Sequence, residues 1–140
     1  MKALGLDYGE RRIGTALSDA DGRMAFPRGA IVRTTLEKDL AAIVRLAKEE
    51  GAERIVVGLP RSLNGGLGPA AQRVQIFCEA LRQRSDVPVE TSDESFSTVE
   101  ASEALRQAGV QPSRHKARVD AAAAAVMLQR WLDHWQALST

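Results

Sequence analysis

The sequence predicts an α/β fold, a mixed sheet of five strands with helices packed on it, and three observations carry that expectation. Three short apolar or β-branched segments, residues 3–7, 13–17 and 29–33, come before any helical periodicity. A strand, helix, strand order follows, which implies a right-handed crossover between parallel strands. The strand that closes this unit, residues 54–60 with the sequence RIVVGLP, is apolar on both faces, as expected of a strand covered from both sides.

Each element has its own reason. In residues 3–7, Ala3, Gly5 and Asp7 alternate with Leu4 and Leu6, and Gly9 permits a tight turn. Residues 13–17 return as the second arm of a hairpin after the turn Gly9-Glu10-Arg11-Arg12. Asp21-Gly22 signals another turn, Pro27 interrupts the segment after it, and residues 29–33 read as the third strand. Thr34 and Glu37 have capping-box spacing, Leu36, Leu40, Ile43, Val44 and Ala47 repeat with helical period, and Gly51 supplies the C-cap.

After the central strand, residues 61–68 hold three glycines and an asparagine. They form a loop at the strand's carboxyl end, where open α/β sheets bind ligands. Pro69 suits a helix start, with Val74, Phe77, Cys78 and Leu81 as the buried stripe, and residues 87–92 form a fifth strand with Pro88 near its start. Ser97 and Glu100 make a second capping box for a short helix ending at Gly109. Residues 111–119 read as a basic connector, and the last helix spans about 120–137 on the stripe Ala124, Met127, Leu128, Trp131, Leu132 and Trp135. The two tryptophans read as core residues rather than as platforms for stacked bases.

Composition narrows the classes of function. The 140 residues are enough for one domain, 1–140, that buries roughly two-thirds of its unfolded surface. With 19 basic against 18 acidic residues there is no global field for nucleic acid or membrane, so such a partner must meet a local patch. A single cysteine excludes an internal disulfide, and its helical stripe assigns Cys78 to the core. Asp7 breaks the first apolar run and no run approaches about 18 apolar residues, so a cytoplasmic protein without a membrane partner is expected.

Three acids stand at ends of elements that face the sheet: Asp7 after the first strand, Glu94 after the fifth, and Asp120 at the start of the last helix. Together they could hold Mg²⁺ or Mn²⁺, hard cations that take oxygen ligands and leave room for substrate phosphates. Two such ions about 3.5–4 Å apart would suit phosphodiester hydrolysis. Plainer readings stand beside these. Asp7 could simply begin a turn, Asp120 could be a helix N-cap, and Asp93 competes with Glu94 because strand alternation sends the two in opposite directions. Arg11, Arg12, Asn64, Arg114, His115, Lys116 and Arg118 are candidate nucleic-acid contacts; those in the connector would set positive charge before Asp120, where a phosphate backbone could be held. His115 is also a candidate general acid or base, and the connector could equally be an ordinary solvated loop.

On these residues the chain resembles the YqgF family, also called RuvX, of the RNase H-like superfamily. The resemblance spans nearly the whole chain. It rests on Gly5-Leu6-Asp7-Tyr8-Gly9 with Arg12-Ile13-Gly14, on Val56-Val57-Gly58-Leu59-Pro60 with Asn64-Gly65, on Asp93-Glu94 with Ser97-Thr98-Val99-Glu100-Ala101, and on Val119-Asp120-Ala121-Ala122-Ala123. It implies an RNase H-like sheet whose first three strands are antiparallel, helices on both faces, and Asp7, Glu94 and Asp120 as metal-binding catalytic acids. Two departures stand out. Ser95 and Phe96 replace the arginine and leucine common after the acidic pair, and Ala123 stands where the RuvC resolvases carry a further acid.

The expected function is therefore metal-dependent endonuclease cleavage of structured RNA, at the 5′ end of pre-16S rRNA, or of branched DNA as a Holliday junction resolvase. A homodimer would favour the junction, which needs two sites related by a twofold axis, and a monomer would favour RNA. Two readings of other classes are a nucleotide-binding phosphotransfer domain, suggested by Asp7-Tyr8-Gly9, and a non-catalytic nucleic-acid-binding protein.

Overall fold

The computed structural model describes residues 1–60, 68–93 and 116–139. Its elements are β1 (Ala3–Tyr8), β2 (Arg12–Ser18), β3 (Ala25–Val32), α1 (Leu36–Glu50), β4 (Arg54–Leu59), α2 (Pro69–Arg84), β5 (Val89–Asp93) and α3 (Lys116–Ser139). The strands form one sheet in the order β3-β2-β1-β4-β5. β1 with β2 and β2 with β3 are antiparallel, whereas β1 with β4 and β4 with β5 are parallel, which is the expected mixed sheet.

Strand alternation sorts the sheet into two cores. Leu4, Leu6, Ile13, Ile55, Val57 and Leu59 pack with Leu40 and Ile43 of α1 and with Val74, Phe77, Cys78 and Leu81 of α2. On the other face Ala3, Ala16 and Val56 meet Ala124, Met127, Leu128 and Leu132 of α3. That second face is built from small residues, so α3 lies close to the strands. A β-carbon at Gly5 would stand only 2.9 Å from Cβ of Leu128. β4 contributes to both cores, as its two-sided apolar sequence predicts.

Four expected elements need correction. The third strand begins at Ala25 and passes through Pro27, because β3 is an edge strand and its register with β2 shifts between Thr15 and Ala16. A bulge at an edge removes the need for a proline N–H. Thr35, not Thr34, caps α1, its hydroxyl accepting the Lys38 N–H at 3.2 Å. Thr34 instead donates its N–H and hydroxyl to Oδ1 of the buried Asp39, at 3.0 and 3.1 Å, while Glu37 pairs with Arg84 of α2. The fifth strand begins at Val89 rather than 87, Pro88 contributing only its carbonyl to the Ile55 N–H at 2.9 Å. The last helix starts at Lys116, four residues before the expected position, so Lys116 and Arg118 belong to helix and not to a connector. Of the expected loop at 61–68, all but Gly68 lies outside the described residues, as does the expected helix at 97–109.

Gly51, Pro69 and Cys78 take the places expected of them. Gly51 ends α1 in the left-handed conformation with φ 67°, donating its N–H to the last turn. Pro69 opens α2. Cys78 is buried, and that burial raises its thiol pKa to about 11, as a core residue requires. The tryptophans depart from the core reading: both are half-buried, they stack on each other with ring centroids 5.2 Å apart, and Trp131 packs against the edge of the α3-side core. The Arg54 guanidinium covers the pair, 4.5 Å from the Trp135 ring, and is itself held by Glu90 of β5. Among the described residues no helix is long and apolar enough to cross a membrane.

Candidate active site

The alternation of β1 carries Asp7 to the α3 face, in line with Ala3 and Gly5, at the end of the strand. Its partner across the hairpin is Gly14 of β2. Gly14 is also where α3 crosses the sheet: a β-carbon there would collide with the Asp120 carbonyl oxygen and stand 3.1 Å from Asp120 Cβ. Because Gly14 has no side chain, Asp120 comes to rest beside the residue that pairs with Asp7. Two of the three expected acids are thus brought together at one end of one face, although the chain separates them by most of its length.

Asp120 sits inside α3, one turn after Lys116, so the reading of it as an N-cap is overturned. Its first partner is Arg12, whose Nε donates to Oδ2 at 2.6 Å, a short charge-assisted bond between two half-buried side chains. Arg12 was expected to contact nucleic acid. In the structure one of its donors is committed to Asp120. Among the described residues Oδ1 of Asp120 carries no hydrogen bond.

On the opposite face, directly behind Asp7, Tyr8 stacks on Phe77 with ring centroids 4.1 Å apart. The Arg33 guanidinium lies over the other side of the tyrosine, 4.3 Å from its centroid. Nη1 of Arg33 donates to the carbonyls of Gly9 and Glu10 at 2.9 and 3.0 Å, and the Arg33 N–H donates to the Arg11 carbonyl at 2.9 Å. The turn is closed by the Gly9 N–H on the Arg12 carbonyl at 3.0 Å. Arg33 therefore clamps the turn that carries Arg11 and Arg12 and that follows Asp7. Sequence reasoning missed it, since Arg33 lies at the far end of β3 and only the β2–β3 register brings it back to the hairpin.

The other expected residues divide by position. Arg11 is exposed in the clamped turn, and Arg118 is exposed on α3 two residues before Asp120. Both stand at the acidic end of the site. Lys116 opens α3. Asp93 closes β5 with its Cα opposite Leu59, while Ser92 stands opposite Gly58. Glu94, Asn64, Arg114 and His115 lie outside the described residues. Among the described residues no three of histidine, cysteine, aspartate and glutamate come together as a metal-holding group.

Comparison with known proteins adds an independent line. The model of the RuvX family, described as Holliday junction resolvase, matches residues 1–134. A relative from Chloroflexus aurantiacus, named "Putative pre-16S rRNA nuclease", is 46% identical over 130 residues, covering 93% of this chain and 85% of its own. One of the same name from Halothermothrix orenii is 41% identical over 134 residues, 96% of each chain. Among solved structures, Thermus thermophilus RuvC superimposes with a TM-score of 0.60 at 16% identity, over 98% of this chain and 97% of that one. The Fowlpox virus resolvase, solved with Holliday junction DNA, gives a TM-score of 0.61 at 9% identity, over 96% and 99%. At such identities these structures speak for the fold, which is that of the RNase H-like resolvases. The matches over almost the entire length, together with the sheet order, lead to one conclusion: the chain belongs to the RuvX (YqgF) family of RNase H-like nucleases.

Proposed function

We propose that the chain, as a single domain over 1–140, is a divalent-metal-dependent endonuclease that cleaves pre-16S rRNA near its 5′ end, with Asp7, Glu94 and Asp120 as the catalytic acids. The observation that carries this reading is the convergence of Asp7 and Asp120 on Gly14 at one end of one sheet face. Two carboxylates without an intervening side chain are a hard-oxygen donor set, which suits Mg²⁺ or Mn²⁺ and not a soft metal. Glu90 and Ser92 are in register with Val56 and Gly58 on that face; Glu94 is kept over Asp93 as the third acid on the sequence reading. When bound there, the cation lowers the pKa of a water and neutralises charge on the phosphate under attack.

The chain's own side chains supply the rest. Arg12 holds Asp120 in one orientation, and the Arg33 clamp fixes the turn beside Asp7, so neither acid has to reorganise when substrate arrives. Arg11 and Arg118, exposed at the same end, are placed to meet backbone phosphates; Asn64, Arg114, His115 and Lys116 are proposed as further contacts on the sequence reading. RNA is the substrate favoured by the names of relatives above 40% identity. A second reading, junction cleavage, is favoured by the description of the family model. Incubation of wild-type protein with a pre-16S 5′-leader RNA and with a four-way DNA junction, each in Mg²⁺ and in Mn²⁺, separates them. Faster cutting of the RNA by a monomer is expected; symmetric cutting of the junction by a dimer would move the assignment to the second reading.

A further inference from the structure

Resting on the reading of the Asp7 end of the sheet as a nuclease site, we propose that the strand being cut leaves this end across the edge strand β3 as unpaired nucleotides, with Val32 as the apolar shelf beneath them. Val32 stands directly opposite Arg12 in the β2–β3 pairing. Residues opposite each other in an antiparallel pair share a face, and Arg12 reaches Asp120 on the α3 face. Val32 is therefore on the face of Asp7 and Asp120, two strands from Asp7 and one same-face step further along the hairpin. Strand spacing and rise put the Cα atoms of Asp7 and Val32 roughly 12 Å apart, a span that the nucleotides next to the cleaved bond can bridge. β3 is the edge of the sheet, so among the described residues no further strand walls off this path.

The surface along the path pairs aliphatic side chains with cations. Val32 is 68% exposed, and Leu36, the first residue of α1, is 45% exposed. Arg11 in the clamped turn, Lys38 in the first turn of α1 and Arg118 near the start of α3 are exposed as well. The acids of that first turn are engaged elsewhere: Glu37 pairs with Arg84 of α2, and Asp39 is buried and accepts from Thr34. Glu10, exposed beside Arg11, is the acid of the turn, against three cations. Such a surface favours one form of nucleic acid. A duplex turns its phosphates outward and keeps its base faces stacked inside, so Val32 and Leu36 would gain little from it. An unpaired strand exposes base faces and riboses, which can lie on apolar side chains while its phosphates meet Arg11 and Lys38.

The test is fluorescence anisotropy of a labelled, unstructured RNA, and of the same RNA annealed to its complement, binding the full chain without added metal. Wild type, Val32→Ala and Val32→Tyr are compared, with Phe26→Ser as a control. Phe26 is 50% exposed on the same edge strand, but at its other end and on the opposite face, where it pairs with Leu17. Val32→Ala should weaken binding of the single strand about threefold through lost apolar contact. Val32→Tyr should tighten it about threefold, because a ring can stack under a base. Phe26→Ser should leave it unchanged, and no variant should alter binding of the duplex. Unchanged single-strand affinity in both Val32 variants, equal shifts on the duplex, or an equal effect of Phe26→Ser would overturn the inference. Single-strand binding that follows Val32 while wild type cuts neither RNA nor junction in Mg²⁺ or Mn²⁺ would contradict the nuclease reading and leave the binding path standing.

Discussion

A single hydrogen atom is all that Gly14 places between β2 and the backbone of Asp120. Any larger side chain must push α3 away from the strand, since the obstructing atom is a backbone carbonyl and cannot rotate aside. Gly14→Ala should therefore destabilise the fold by about 1–3 kcal/mol through overpacking, measured by urea denaturation. It should also weaken Mn²⁺ binding, because Asp120 would no longer sit beside Asp7. Wild-type stability and affinity in that variant would show that α3 does not depend on this contact. The same residue marks the limit of what sequence could tell. Asp7 and Asp120 stand out as isolated acids at apolar element ends, and Gly14 belongs to the Arg12-Ile13-Gly14 motif, but the bond from Arg12 to Asp120 joins positions 108 apart with no local pattern linking them.

At the scale of elements, α3 is held at both ends by different chemistry. Its first turns rest on Gly14 and Arg12, its middle on Gly5, Ala16 and Val56, and its last turns on Arg54, which lies over Trp135 and pairs with Glu90. Arg54→Ala removes the cation from the ring and leaves Glu90 without it. A loss of about 1–2 kcal/mol is expected by thermal or urea unfolding, with Mn²⁺ affinity unchanged, because Arg54 opens β4 at the opposite end of the sheet from Asp7. A change in metal affinity would mean that the two ends of α3 are coupled. The strands were legible for a physical reason: alternation in β1 and two-sided burial in β4 are written directly in their residues. The start of α3 was not, since Lys116 and Arg118 are a basic run with no apolar period, and a helix turn made of charged residues looks like a loop. Pro27 misled in the opposite sense, because an edge strand with a bulge tolerates what a central strand cannot.

For the molecule as a whole, the sheet divides labour between its faces. The side packed on α1 and α2 supplies the larger aliphatic and aromatic core, including Phe77, which supports Tyr8 from behind. The α3 side uses glycines and alanines, and so lets a helix approach closely enough to set its acid against that of a strand. On the proposed reading of Asp7 and Asp120, stability and chemistry are drawn from opposite surfaces of one five-stranded sheet, whose α/β architecture brings these distant positions to the same end of one face.

The central claim, that Asp7 and Asp120 act as one metal-dependent hydrolytic unit, is tested most directly by cleavage rates of a 5′-leader RNA in Mn²⁺ for wild type, Asp7→Asn, Asp120→Asn and the double variant. Groups that work as a unit are strongly non-additive. Each single variant should therefore lose nearly as much activity as the double variant, on the order of a thousandfold or more, while remaining folded. Single variants that retain most of the wild-type rate, or losses that simply multiply in the double variant, would contradict the account.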